Sequence, residues 1–227
     1  MRALAPLLVV VRRLRELRDR VVFVGGMIRG LLITDPGAPP ERPTDDVDLI
    51  VELSSTAAYH RLAAELRSLG FREDTTPGAP ICRWIVEGVR VDVMPTEGGV
   101  LGFRNRWYAD AMARAIEVHA DGERFRIIDA PHFCATKLDA HSDRGAGGMY
   151  HHDLEDLIAV VDGRSELRAE FAATSIHLRR YVAAELRRLL GTPAFLEALP
   201  GHLPGDTASQ ARLPLLCERL EALASLR

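Results

Sequence analysis

The stretch Thr44-Asp45-Asp46-Val47-Asp48-Leu49-Ile50-Val51 decides how this chain is read. In a strand, residues two apart point to one face, so Asp46 and Asp48 stand side by side among apolar neighbours while Asp45 turns away. Two adjacent carboxylates repel, and a divalent cation that neutralises both is the commonest reason for such a pair. The competing reading is a strand-entry pair that caps a loop.

Upstream, Val21-Val22-Phe23-Val24 reads as a short buried strand, and Gly25-Gly26 turns it into a helix carrying Met27, Ile28, Leu31 and Leu32 inward. Glycines let a backbone approach a phosphate closely, and a helix that begins there points free amides and its positive dipole end at an anion. Arg29, in that first turn, offers either a phosphate contact or a surface salt bridge. Between the glycines and the acids lies Asp35-Pro36-Gly37-Ala38-Pro39-Pro40-Glu41-Arg42-Pro43, whose four prolines in nine positions predict an exposed loop.

Downstream, a strand over 47–53 is followed by a helix capped by Ser54 or Ser55, with Tyr59, Leu62, Leu66 and Leu69 on one face and Gly70 at its end. Segments 81–86 and 89–94 alternate about Glu87-Gly88 and read as a hairpin whose second arm carries Asp92. A helix over 106–118 and a strand over 124–128 complete the first half. The second half reads as helical, over 131–141, 153–161, 167–190 ended by Gly191, and a last helix toward Arg227.

A chain of 227 residues, 47% apolar and 27% charged, has the composition of a soluble globular protein with a sizeable core. Its net charge of -3 excludes a strong field drawing it to nucleic acid or anionic membrane. Cys82, Cys134 and Cys217 are odd in number and lack paired metal spacing, which makes a reducing, cytoplasmic compartment the default. Segment 3–11 is apolar but runs into Arg12-Arg13-Leu14-Arg15. Leu7, Leu8, Val11, Leu14 and Leu17 fall at helical spacing, so an amphipathic helix fits better than a targeting segment, and no stretch is long enough to span a bilayer.

If the Asp92 strand lies beside the Asp46 strand, three acids converge on one edge of a sheet. Three acidic oxygens with room for phosphates and water describe a magnesium site. Two such ions would activate an attacking hydroxyl and stabilise a pyrophosphate leaving group.

Strand, Gly25-Gly26, helix, Asp46-Val47-Asp48 strand and a third acid at Asp92 together resemble the nucleotidyltransferase superfamily that includes the polymerase beta palm and the head of transfer-RNA CCA-adding enzymes. Leu31-Leu32 after Arg29-Gly30 strengthens the likeness to the latter group. Ala135-Thr136-Lys137-Leu138-Asp139-Ala140, followed by Arg144 and Asp153-Leu154-Glu155-Asp156-Leu157, is similar to the helical motifs of the AbiEii/AbiGii-type nucleotidyltransferases, many of which are toxins of toxin–antitoxin systems. The resemblance covers 22–161. It implies an α+β fold, a nucleotidyltransferase-type mixed β-sheet flanked by helices over 1–130, with a helical C-terminal domain over 131–227 closing the nucleotide cleft.

The same resemblance implies that Gly25 and Gly26 cradle the triphosphate, that Asp46 and Asp48 hold metal, and that Asp92 is both metal ligand and general base. Lys137 would contact the phosphates and Asp153 would be a helical active-site acid, with Asp156 the competing choice. The residues alone also single out Lys137: it shares a helical face with Phe133 and Ala140, so it turns toward protein, and a buried lysine usually has an anionic partner. Two features depart from the family pattern. Nineteen residues separate Gly26 from Asp46, more than is usual, and Gly26 stands where serine is common.

The implied reaction moves a nucleoside monophosphate from a nucleoside triphosphate such as ATP to an acceptor hydroxyl, on RNA such as transfer RNA or on protein, with Mg2+, two ions, as cofactor. An antitoxin protein is an implied partner, and a membrane is not. Two further readings keep the fold: a non-catalytic nucleotide-binding regulatory module, and a small-molecule (antibiotic) nucleotidyltransferase. Arg104, Arg106, Arg179, Arg180, Arg187 and Arg188 are the basic residues available to an RNA end. His151-His152-Asp153 invites a zinc reading, but adjacent residues on a helix diverge by about 100° and share one ion with difficulty, which favours a structural or solvent-facing role. The glycine-rich 144–148 reads as a flexible connector, with a mobile lid as the alternative. Trp84, Trp107 and Tyr108 read as core or groove-lining residues, with base stacking on Trp107 as the alternative.

Overall fold

The computed structural model describes residues 4–40, 44–102, 105–143 and 148–227. In chain order the first half comprises α1 (Ala5–Leu14), a 3-10 segment (Arg15–Arg20), β1 (Val21–Val24), a 3-10 turn (Gly26–Ile28), α2 (Arg29–Leu32), β2 (Asp46–Val51), α3 (Thr56–Ser68), β3 (Arg72–Glu73), β4 (Arg83–Val86), β5 (Val89–Pro95), α4 (Tyr108–Ala113), β6 (Ile116–Ala120) and β7 (Glu123–Ile127). The second half carries α5 (Ala130–Asp143), α6 (His152–Gly163), α7 (Leu167–Ala172), α8 (Ile176–Leu190), α9 (Pro193–Ala198), a 3-10 turn (Leu199–His202), α10 (Thr207–Gln210) and α11 (Leu213–Ala224). These elements form two compact units, one of Met1–Ile28 with Pro43–Asp129 and one of Arg29–Arg42 with Ala130–Arg227.

The first unit is an α+β layer built on a seven-stranded mixed sheet in the order β3-β4-β5-β2-β1-β7-β6. β1 runs antiparallel to β2 and parallel to β7, and β2 runs parallel to β5. The apolar run Val21–Val24 is buried at every position because it lies between two neighbours and beneath a helix layer. Phe23 meets Phe125 edge-on at 5.7 Å, and α1 lays Leu7, Leu8, Val10, Val11 and Leu14 inward as an amphipathic helix does. Each such side chain taken out of water contributes roughly 1.5–3 kcal/mol. Glu87 (φ 48) and Gly88 (φ 81) form the two-residue turn expected between β4 and β5, with the positive φ at both centres that matches strand twist. That turn fixes the register, setting Val86 opposite Val89 and Arg83 opposite Asp92. Ser55 caps α3, its side chain accepting from the Ala58 amide at 3.2 Å.

Several elements differ from the sequence expectation. The helix over 106–118 is only α4, and the chain then enters β6, which pairs with β7 through a second two-residue turn at Asp121 (φ 49) and Gly122 (φ 77). β6 is an edge strand with mostly exposed side chains, and its alternation of Ile116, Val118 and Ala120 with Glu117 and His119 is a strand pattern inside the span expected to be helical. The long helix over 167–190 is two helices, because Ser175 interrupts it and caps α8 by accepting from the Leu178 amide at 3.2 Å. After Gly25-Gly26 there is one 3-10 turn of 3 residues and one α turn of 4, with Leu31 only partly buried. So short a segment sums few peptide dipoles, which removes the strong dipole expected there.

The second unit is helical. α5, α6, α8 and α11 pack around Phe133, Phe171, Leu178, Val182, Leu186, Phe195, Leu216 and Leu220, all fully buried. α2 and the segment after it join this unit through specific bonds: the Thr34 and Asp35 amides both donate to the Gly163 carbonyl at 2.9 Å, and Arg164 donates to the Leu32 carbonyl at 2.6 Å. A Cβ at residue 163 would meet Ile33 Cγ2 at 2.8 Å, which explains the glycine. Arg212 ties the proline loop down, donating to Asp35 at 2.7 Å and to Asp162 at 2.8 Å. Among the described residues, no helix is long and apolar enough to cross a membrane.

Candidate functional site

The acids of the first unit meet through strand register. Asp48 is the Cα partner of Val24 on β1 and of Asp92 on β5, and Asp46 is the partner of Arg90. In-register partners on neighbouring strands project to the same face, so Asp48 and Asp92 are lateral neighbours and Asp46 follows one pleat away on that face. Asp46 and Asp48 are half-buried, and Asp92 is 9% exposed. Asp45, just before β2, is exposed and lies 3.6 Å from Arg90.

Gly25 closes this arrangement from β1. At φ +73 it occupies the left-handed region, and a Cβ there would lie 1.9 Å from Asp48 Oδ2 and 2.7 Å from its Cγ. The absence of a side chain at 25 therefore makes room for the Asp48 carboxylate. Gly26 is buried in the 3-10 turn.

Arg83, which the sequence reading did not single out, is a further charged member. Its Nε donates to Asp92 Oδ1 at 2.8 Å and its Nη2 to Oδ2 at 2.7 Å, a bidentate fork, and it lies 3.6 Å from Asp46. The bond to Asp92 raises the guanidinium pKa. Next to it, burial first and the Asp92 and Asp48 charges second push the Cys82 thiol up to about 12. Arg83 thus meets two of the three carboxylates, and the hard oxygen donors of the set suit Mg2+. Trp84 (0% exposed) and Trp107 (7%) belong to the core, so Trp107 offers no open face to a base.

In the helical unit the sequence-predicted residues form a buried cluster. Lys137 Nζ lies 3.2 Å from Asp153 Oδ1 and 2.7 Å from Asp156 Oδ2, and Arg29 Nη1 pairs with Asp156 Oδ1. No side chain of the four is more than 10% exposed. Two cations and two carboxylates so arranged compensate one another, which a dry interior requires. Lys137 thus has the anionic partners its buried position predicted, and both Asp153 and Asp156 face it. Arg29 is neither exposed nor part of a surface salt bridge; its guanidinium is held inside the unit.

His151 and His152 also differ from expectation. His151 is not on the helix: it is the N-cap of α6, with extended backbone at φ -70 and ψ 141. The helical divergence of about 100° therefore does not apply, and the two rings lie with centroids 4.0 Å apart. The ligand atoms of His151, His152 and Asp153 all fall within 4.8 Å of one another. Among the described residues the three sheet aspartates do not make so tight a group. His141, on α5, is fully buried, and desolvation holds its pKa down. Of the basic residues considered for RNA, Arg179 donates to the Ala172 carbonyl at 3.1 Å, Arg187 to the Ala224 carbonyl at 3.0 Å, and Arg188 pairs with Glu185 at 2.9 Å. Arg104 and the segment 144–147 of the proposed connector lie outside the described residues.

No protein-family model matches the chain, and no curated protein matches it. Among solved structures, an antigenic nucleotidyltransferase-like protein from Paracoccidioides brasiliensis is similar, with a TM-score of 0.49 and 19% identity, over 84% of this chain and 89% of that one. A likeness at that level carries no functional argument, and the site is read from its own residues.

Proposed function

We propose that this chain is a metal-dependent nucleotidyltransferase of the polymerase-beta-like superfamily, transferring a nucleoside monophosphate from a nucleoside triphosphate to an acceptor hydroxyl. The observation that carries the reading is the parallel register that sets Asp48 beside Asp92, with Asp46 on the same face and Gly25 clearing space for the carboxylate. Asp46, Asp48 and Asp92 would hold Mg2+, one ion or two. When bound, the ion supplies charge neutralisation for the triphosphate and the leaving pyrophosphate. The chain's own residues position the groups. Asp92 takes the proton of the acceptor hydroxyl as the new oxygen–phosphorus bond forms and the bond to pyrophosphate breaks, and for this one Asp92 oxygen has to part from Arg83. Gly25 and Gly26 approach the phosphates with bare backbone. Rate enhancement comes chiefly from positioning and electrostatic stabilisation.

The finer proposals rest on the motifs around Lys137 and Asp153. They favour the AbiEii/AbiGii-type branch, with ATP or another triphosphate as donor, transfer RNA or protein as acceptor, and an antitoxin protein as partner. A phosphate contact by Lys137 would have to compete with the two carboxylates that already hold its ammonium.

A second reading, a nucleotide-binding module without turnover, is favoured by one observation: the Arg83 fork occupies both oxygens of the proposed base. Incubating the protein with Mg2+ and each alpha-labelled triphosphate in cell lysate separates these. Label entering RNA or protein with release of pyrophosphate supports transfer, and label entering only small molecules points to an antibiotic-type acceptor. Triphosphate binding without pyrophosphate release supports the module.

A further inference from the structure

We infer that His151, His152 and Asp153, together with His141, form a binding site for a first-row transition ion of the zinc class, built from residues other than the sheet carboxylates. His151 Nδ1 lies 3.3 Å from the Asp153 amide nitrogen and 3.2 Å from Asp153 Oδ2. One ring nitrogen cannot both accept from the amide and donate to the carboxylate. Nδ1 has a single in-plane lone pair, so when that pair is turned to the carboxylate rather than to the amide two lone-pair atoms face each other across 3.2 Å, and an ion between them relieves the repulsion in place of the amide bond. The distances suit an ion: with bonds of about 2.0–2.1 Å, the ligand atoms at one edge of a zinc tetrahedron are roughly 3.3 Å apart. His152 Nε2 to Asp153 Oδ1 is similar, at 3.6 Å.

His141 is the independent observation. It is fully buried, and neither ring nitrogen has a hydrogen-bond partner among the described residues. Buried polar atoms are almost always satisfied, so a histidine with both nitrogens unmatched calls for a ligand. Its ring centroid lies 6.4 Å from that of His151. Two imidazoles on one tetrahedral ion have centroids roughly 5.2 Å apart for bonds of the same length, so His141 joins by an inward shift of about 1 Å. Helix capping accounts for His151 alone and leaves His141 unexplained.

The outer contacts fit as well. Lys137 holds Asp153 Oδ1, which fixes the carboxylate as second neighbours of metal ligands commonly do. Three imidazoles and one carboxylate select zinc-like ions, whereas the all-oxygen set of the sheet selects magnesium.

The test uses the untagged full-length chain, stripped with chelator and titrated with Co2+ as a spectroscopic probe. The expected result is one ion per chain with the intense visible absorption of four-coordinate cobalt, displaced by Zn2+ and not by excess Mg2+; a six-coordinate all-oxygen site absorbs only weakly. His151→Asn, which keeps a capping acceptor, and His152→Ala at an exposed position should each weaken binding by about tenfold or more. Asp46→Asn with Asp48→Asn should leave the signal intact, so the outcome is independent of the proposed nucleotidyl transfer. His141→Gln should also lose the signal, with folding verified by circular dichroism; if it does not fold, the two surface-accessible variants decide. Absence of saturable cobalt binding by the folded chain, or unchanged affinity in both His151→Asn and His152→Ala, overturns the inference.

Discussion

Replacing Gly25 with alanine probes the geometry of the acid face most sharply. The new methyl would sit 1.9 Å from Asp48 Oδ2, and real Cβ contacts do not fall below 3.0 Å, so the carboxylate has to move by about 1 Å or the backbone has to shift. Two costs arise. Holding a non-glycine residue at φ +73 costs roughly 1–2 kcal/mol, and the steric conflict adds about 1–3 kcal/mol. Gly25→Ala should therefore lose about 2–5 kcal/mol in urea unfolding. Because the Asp48 Cβ itself would lie 2.9 Å away, the control background is Asp48→Gly, in which only the backbone cost remains, so the same change should lose about 1–2 kcal/mol and the cycle should show a coupling of about 1–3 kcal/mol. A 1 Å displacement of a positioned group also costs on the order of 100-fold in rate, which transfer from a labelled triphosphate would read. Equal losses in the two backgrounds would refute the reasoning, because the glycine would then not be there for Asp48.

Other consequences follow from the same geometry. Lys137→Met leaves two buried carboxylates short of a counter-charge and should cost about 3–5 kcal/mol in urea unfolding; a loss under about 1 kcal/mol would show that the cluster is not a dry network. Arg83→Gln removes the cation that competes for Asp92, so calorimetric Mg2+ affinity should rise, and an unchanged affinity would contradict the competition. The Cys82 thiol has a folded-state pKa above its unfolded value, so its contribution to stability is complete below pH 9 and is lost as pH climbs toward 12. Cys82→Ala should flatten that alkaline loss, and at pH 8 the native thiol should react with iodoacetamide far more slowly than in the unfolded chain.

The parts of the fold with local chemistry were legible in the sequence. β1 is an unbroken apolar run, Ser55 is a capping residue at a helix start, and Glu87-Gly88 is a two-residue turn between alternating arms. The Arg83 contact was legible too: a two-residue turn pairs 86 with 89 and hence 83 with 92. β6 was legible as well: Ile116, Val118 and Ala120 alternate with Glu117 and His119 ahead of the Asp121-Gly122 turn, but the span was read as the end of a helix. Ser175 likewise marked the break between α7 and α8 inside a pattern that stayed helical on both sides. Two features depend on long-range packing and had no local signature. One is the register of β2 against β5, which places Asp48 beside Asp92 rather than Asp46. The other is the pairing of Arg29 with Asp156, separated by 127 positions. Hydrophobic pattern cannot encode which of two acids on one strand face meets a third from another strand.

The most direct measurement of the central claim is Mg2+-dependent transfer from an alpha-labelled nucleoside triphosphate by the wild-type chain beside Asp48→Asn, with folding of both verified by circular dichroism. Asp48→Asn is nearly isosteric and keeps the space at Gly25, so it changes the charge of the acid face and little else. The account predicts label transfer and pyrophosphate release by the wild type, reduced on the order of 100-fold or more by Asp48→Asn. Transfer by Asp48→Asn at the wild-type rate would contradict it.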